Sequence, residues 1–246
     1  MDSTSKRPFL SNGREKLKVS FQKMEEEVGK VADTIKELPI PKRNPISVVA
    51  GLASVIVYWT FILFSFALYP GVFNPFTRMM SDLGSFNQNP GGAYFFSIGC
   101  ILTGLAFFPF FIGLYEWYIG GLRNKILTVL TQISGIFCAF CLIMIGLVSI
   151  DNFNAHTFWA VLFFTASAFT TLFPSIALYK YKFTRNTAIF GFFASAVNII
   201  FRFFLLIPIF EWLTILLSFS YIVLIVISMQ RRIKKFRTVR KAKIKV

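Results

Sequence analysis

Few side chains in this chain could take part in chemistry, and most of them fall in three short polar segments between apolar stretches. Ser81 and Asp82 lie in the first segment, Asp151 and His156 in or beside the second, and Glu211 in the third. A serine that attacks an acyl group needs a histidine to take its proton and a carboxylate to orient that histidine. The required residue types are present, so acyl transfer is open to this chain if the separate segments converge.

The same segments are poor in metal ligands. His156 is the only histidine and no cysteine lies near these segments, so a zinc site of ordinary composition cannot be built. A carboxylate site for magnesium, manganese or calcium is compatible with the composition, but the sequence predicts neither a metal nor a cofactor. Cys138 and Cys141 form a Cys-x-x-Cys pair inside an apolar stretch, where we interpret them as two small buried residues.

Ser81, Asp82 and Gly84 also have a purely structural interpretation. Serine and aspartate side chains accept hydrogen bonds from the free N–H groups at a helix start, and glycine permits a turn that other residues disfavour. Capping and a polar pocket are equally compatible with this segment. The predicted polar cluster comprises Asp82, Asn89, Asp151, His156, Arg202 and Glu211, and the candidate catalytic residues are Ser81, Asp82, Asp151 and His156.

Arg202 is a charge that an apolar stretch must accommodate. We expect it about two turns below the outer end of the fifth stretch, where an unpaired charge costs on the order of 3 kcal/mol or more. Its expected partners inside the bundle are the carboxylates Asp82, Asp151 and Glu211. The alternative is that its long side chain reaches out to the membrane interface.

Six apolar stretches separate and flank these segments. They cover about residues 46–69, 91–117, 126–150, 156–179, 187–208 and 212–229. Each is about long enough to cross the ~30 Å hydrocarbon core of a bilayer as a helix. Only helices and closed barrels satisfy the backbone in lipid, and these stretches are too long for barrel strands. The sequence therefore predicts an all-α integral membrane bundle of six transmembrane helices within residues 46–229.

The distribution of basic residues predicts the orientation of this bundle. All but Arg78 and Arg202 of the 26 lysines and arginines fall in segments that one topology places on the same side. These segments are residues 1–45, 123–125, 180–185 and 231–245. Since basic residues concentrate on the cytoplasmic side, we expect a multi-pass protein of the cell membrane with both termini cytoplasmic.

The net charge of +15 does not indicate nucleic-acid binding, because no soluble module interleaves the basic residues with base-stacking aromatics. The basic excess instead predicts membrane lipids as partners. Anionic head groups are attracted to polybasic segments beside a membrane, which here are residues 1–45 and the tail 230–246.

The amino-terminal segment carries an apolar stripe at heptad spacing. Its members are Leu17, Phe21, Met24, Val28, Val31, Ile35 and Leu38. Such a stripe predicts an amphipathic cytoplasmic helix that either pairs with a second copy as a short coiled coil or lies on the membrane surface. We favour the surface, because three heptads are marginal for an isolated coiled coil; homo-oligomerisation is the alternative.

The order of these residues resembles a known family. Ser81-Asp82-x-Gly84, Asn89-Pro90, Phe95-Phe96, Asp151, His156 and Glu211-Trp212 together resemble the prokaryotic six-span membrane family catalogued as domain of unknown function 998, over about residues 46–230. More weakly, Ser-Asp-x-Gly with a histidine at the start of a span resembles the Frag/DRAM/Sfk membrane proteins, which are associated with lipid remodelling and lipid asymmetry. The first resemblance implies six helices and an outer polar cluster, and no reaction.

Three functions are compatible with this sequence. The favoured one is a lipid-binding or membrane-organising protein without enzymatic activity. A transporter or lipid scramblase predicts a polar path that continues inward from Arg202 toward Asn198. A membrane-embedded enzyme acting on a lipid predicts His156 and a carboxylate beside an open cavity.

Overall fold

The computed structural model of the protein describes residues 45–118 and 120–244, together with Ser20 and Gln22. Within these ranges it does not describe the side chains of Trp117 and of residues 235–244. The predicted amino-terminal amphipathic helix, and any self-association through its stripe, lie outside the described residues.

Six α-helices build the described chain. They are α1 (Ile46–Ala67), α2 (Ala93–Gly113), α3 (Leu122–Leu147), α4 (Phe153–Tyr179), α5 (Arg185–Phe203) and α6 (Pro208–Ile244). Two short 3-10 helices, Met80–Gly84 and Leu114–Trp117, lie in the connections. Each α-helix contains a segment long and apolar enough to cross a membrane, and no strand occurs between residues 45 and 244 where the chain is described. The prediction of an all-α protein with six membrane-spanning helices is therefore confirmed.

The helix boundaries near the third polar segment differ from the prediction. The fifth helix ends at Phe203, five residues earlier than expected, and the sixth begins at Pro208, four residues earlier. Proline is favoured at the first position of a helix, where its missing N–H group is not needed. Glu211 consequently lies in the first turn of α6 and not in a loop. The same helix also continues through the basic tail to Ile244.

The helices form a closed sequence of neighbours. Each packs against the next along the chain, and α6 returns to pack against α1. The connections 68–92, 148–152 and 204–207 meet at one end, which we call the loop end, because Asp151 and Glu211 both hydrogen-bond to the first of them. The opposite end, where α2 and α4 finish and α3 and α5 start, carries most of the described lysines and arginines and is called the basic end.

Small residues on α5 allow the close approach of α4 and α6. A Cβ atom on Gly191 would overlap the Ser175 hydroxyl and the Tyr221 ring. Ser175 and Tyr221 hydrogen-bond to each other at 2.8 Å, and the Ser195 hydroxyl donates to the Ala168 carbonyl at 2.9 Å. The four-residue spacing of Gly191 and Ser195 thus does mark a helix contact, as small residues often do in membranes.

Candidate functional site

The first loop folds back onto the bundle through its 3-10 helix, Met80–Gly84. Met80 and Leu83 are fully buried, and the helix start is capped from α6. The Met80 N–H donates to the Glu211 carboxylate at 2.8 Å, and the hydroxyl and N–H of Ser81 donate to the same carboxylate. Asp82 accepts from the Met79 N–H at 2.9 Å. Glu211 and Asp82 therefore satisfy N–H groups that a helix start leaves free.

Asp82 is half-buried beside this cap. Burial raises its pKa above the ordinary value, although the Met79 N–H and the positive charge of Arg78 act in the opposite direction. The Arg78 guanidinium itself donates to Gln88 at 2.6 Å and lies over the Tyr69 ring. Asp82 is thus a capping residue in a partly desolvated position.

Asp151 joins the second connection to the end of the same 3-10 helix. It accepts hydrogen bonds from the Ser85 hydroxyl at 2.6 Å, the Phe86 N–H at 2.8 Å and the Ser149 hydroxyl at 2.8 Å. Burial acts to raise the pKa of Asp151, but these hydrogen bonds outweigh it and lower the pKa below the ordinary value. Since all three donors come from the loops, Asp151 fixes the loop end and faces no cavity.

Asn89 has the same structural role inside the first loop. Its side chain is fully buried and donates to the Leu83 carbonyl at 2.9 Å and to the Ser65 carbonyl at 3.1 Å. Its side-chain oxygen accepts from the Gly92 N–H at 3.1 Å. Every polar atom of the amide is therefore used to attach the loop to the end of α1 and the start of α2.

Ser81, His156 and Glu211 converge on one small cavity, which is also lined by Tyr58 and Cys100. Nδ1 of His156 lies 2.6 Å from the Val148 carbonyl oxygen. A carbonyl only accepts, so Nδ1 carries the proton and Nε2 has a free lone pair. Nε2 is buried without a hydrogen-bond partner, and this orphaned acceptor makes His156 the least satisfied member of the group.

The size of this cavity decides what chemistry it can support. Its volume of about 20 Å³ is enough for one water molecule, and its polar lining suits such a water. An ester or amide substrate does not fit beside Ser81. The convergence that acyl transfer requires is present, whereas the open cavity that the enzyme hypothesis predicts is absent from the described part of this end.

Arg202 lies apart from that cluster, in a groove of about 140 Å³ between α4 and α5. Its guanidinium carbon is 5.3 Å from the centre of the Phe203 ring, and its Nε is buried without a hydrogen-bond partner. The expected ion pair is not formed in the described chain. Asp82, Asp151 and Glu211 are instead occupied by loop hydroxyl and N–H groups.

The early end of α5 explains how the chain tolerates this arginine. Arg202 is in the last turn of the helix, not two turns below its end. A cation is favoured there by the negative end of the helix dipole, and the turn lies close to the loop end. The groove around it combines this charge with apolar walls.

A line of polar groups continues from Arg202 into the bundle. Asn198, which also lines the groove, donates from Nδ2 to the Ala194 carbonyl at 2.9 Å and to the Ser218 hydroxyl at 3.2 Å, while its Oδ1 has no partner. Ser218 is 3.2 Å from the Ser167 hydroxyl, and both serines line a cavity of about 40 Å³ in the middle of the bundle.

Our reading of the sequence identified Asn198 but missed Ser167 and Ser218. A signal for the first was present, since Ser167, Thr171 and Ser175 recur at four-residue spacing and so share one face of α4.

Comparison with known proteins places this architecture in a family. No curated protein and no solved structure was found to match the chain. A family model described as "Protein of unknown function (DUF998)" matches residues 52–228, which is more than half of the chain and includes all the residues of both polar sites. The resemblance indicated by the order of the motifs is confirmed, and the chain belongs to this family.

Proposed function

We propose that this protein is a multi-pass protein of the cell membrane, with both termini cytoplasmic, that binds an anionic lipid in the groove between α4 and α5. The observation that carries the proposal is Arg202, a cation that faces apolar walls with no carboxylate beside it and with its Nε–H unsatisfied. A buried donor without a partner costs about 1–3 kcal/mol, so a ligand anion at this position would be stabilised.

The rim of the groove suits a ligand that comes from the bilayer. Phe169, Ile199 and Phe203 border it and are 46%, 38% and 63% exposed. In a membrane, such residues face lipid and would contact an acyl chain. Because Arg202 is in the last turn of α5, the charged part of the ligand would lie at the level of the head groups.

The polar atoms of the groove specify the head group further. A guanidinium binds phosphate or carboxylate oxygens through paired hydrogen bonds. The free Oδ1 of Asn198 is an acceptor and would receive a hydrogen bond from a ligand hydroxyl. We therefore propose an acidic lipid that carries a hydroxyl group near its phosphate or carboxylate, such as phosphatidylglycerol.

The loop-end cluster has a different role in this proposal. Glu211, Asp151 and Asn89 attach the first loop to three helices, and the cavity beside His156 has no space for a lipid group. These residues would hold the bundle in shape, which agrees with a membrane-organising protein.

Native mass spectrometry with added phosphatidylglycerol or phosphatidylcholine tests the groove. We expect the wild type to prefer phosphatidylglycerol and Arg202→Gln to lose roughly tenfold in that affinity, the order expected for a lost charge-assisted pair. Arg78→Gln is the matched control, since Arg78 is also at the loop end but outside the groove. Equal binding by both variants and the wild type would refute the proposal.

Lipid passage through the bundle is a second candidate, favoured by the polar line from Asn198 through Ser218 to Ser167. It would give the protein a transporter or scramblase activity. In proteoliposomes, loss of fluorescent-lipid scrambling in Ser218→Val but not in Ser134→Val, a hydroxyl that bonds only within α3, would support it. A wild type no faster than protein-free liposomes would exclude it.

A further inference from the structure

A separate cavity of about 100 Å³ opens at the basic end of the bundle, far along the helices from the Arg202 groove. Its walls are mainly apolar and include Leu127, Leu178, Ile225 and Met229. The volume is several times what one buried water needs. An apolar cavity of this size stays dry or takes up an apolar group.

This cavity continues toward the middle of the bundle. It shares Leu114, Thr131 and Ile225 with the 40 Å³ cavity that contains Ser167 and Ser218. Together the two cavities form an elongated apolar space that runs along the helices, because Met229 and Ser218 are eleven residues apart on α6 and line its two parts. A flexible hydrocarbon chain matches this shape better than a compact ligand does.

The mouth of the cavity is polar and positively charged. Arg232 lines it, and Asn124 and Thr184 lie beside it. Glu116 is the sole carboxylate at this end among the described residues. The basic residues described there are Arg123, Lys125, Lys180, Lys182, Arg185, Arg231, Arg232 and Lys234. This charge complements an anionic head group and disfavours a cationic one.

We infer that the cavity accommodates one acyl chain of an anionic phospholipid, whose phosphate lies at the mouth beside Arg232. The site is independent of the Arg202 groove, because the two cavities share no lining residue. Each end of the bundle then holds its own lipid, and the head groups lie on opposite sides of the membrane.

Photolabelling tests this inference directly. Phosphatidylglycerol with a diazirine in the middle of one acyl chain is added to the purified protein and activated, and the labelled residues are mapped by peptide mass spectrometry. We expect labels on Leu127, Ile225 or Met229 in the wild type. Labels confined to lipid-facing residues such as Ile133 and Leu216, which are 61% and 50% exposed, would overturn the inference.

Two variants and a second lipid separate the parts of the claim. Met229→Trp should fill the cavity and reduce its labelling several-fold, whereas Leu216→Trp on the outer face of α6 should not. The wild-type map needs no variant and so stands even if Met229→Trp fails to fold. Equal cavity labelling by the phosphatidylcholine analogue would refute the requirement for an anionic head group. Arg202→Gln should leave this labelling unchanged, so the two sites succeed or fail separately.

Discussion

At the residue scale, Glu211 shows how a buried carboxylate can hold a loop in place. It is 5% exposed and accepts hydrogen bonds from the backbone of the 3-10 helix across 131 positions of sequence. Its position in the first turn of α6 therefore ties the last membrane helix to the first loop. The polar residues at this end are best understood as the fasteners of that loop, with His156 as the exception.

We expect Glu211→Ala to destabilise the protein more than Glu211→Gln. Alanine leaves the N–H groups of Met80 and Ser81 buried without an acceptor, at a cost of about 1–3 kcal/mol each, whereas glutamine keeps one oxygen. A thiol-reactive dye that detects exposure of the buried Cys100, Cys138 and Cys141 on heating measures this. Glu116→Ala is the control at the opposite end, and equal midpoints for both Glu211 variants would contradict the capping role.

Asp151 gives a prediction with a defined pH dependence. Its folded-state pKa is lowered, so its stabilising contribution is present above the unfolded-state pKa of about 3.9 and is lost as the pH falls through the folded value. We expect Asp151→Asn to cost on the order of 1 kcal/mol at neutral pH, given its exposed position. The gap to the wild type should narrow below about pH 4.

Heating in detergent followed by size-exclusion chromatography at both pH values measures that gap. Asp82 has a raised pKa and the opposite sign, but it is present in both proteins and cancels in the difference. A gap that does not change with pH would show that the Asp151 charge does not stabilise the folded state.

At the element scale, the contact of α5 with α4 and α6 depends on the absence of a side chain at Gly191. We expect Gly191→Ala to destabilise by about 1–3 kcal/mol, the usual cost of overpacking, because its Cβ would meet Ser175 and Tyr221. Gly91→Ala is the matched control, since a Cβ there meets nothing. The same thermal assay compares them, and equal stability of both variants would show that the helices can separate at no cost.

The sequence predicted the helices better than their mutual arrangement, for a physical reason. Continuous apolar stretches mark the spans because the bilayer demands them. Helices that are apolar on all sides, however, carry no moment that indicates which face is buried. The prediction that Arg202 pairs with a carboxylate was wrong for this reason and because Pro208 starts α6 early. The convergence of Ser81 and His156 likewise depended on the fold of a loop that no periodicity describes.

At the scale of the whole molecule, the two proposed lipid sites give the bundle a direction. The Arg202 groove lies toward the loop end and the cavity beside Arg232 at the basic end. With the proposed orientation, the groove would take a lipid from the outer leaflet and the cavity a lipid from the cytoplasmic leaflet. The orientation of the bundle therefore decides which leaflet supplies each ligand.

Accessibility of single cysteines to a membrane-impermeant maleimide measures that orientation. The three native cysteines are buried, so they should give little background and need not be removed. We expect Asn87→Cys, at an exposed position of the loop end, to react in intact cells. Lys182→Cys, at an exposed position of the basic end, should react only after the membrane is permeabilised. The reverse pattern would invert the topology and exchange the leaflets assigned to the two lipids, because the positive-inside bias alone supports the present assignment.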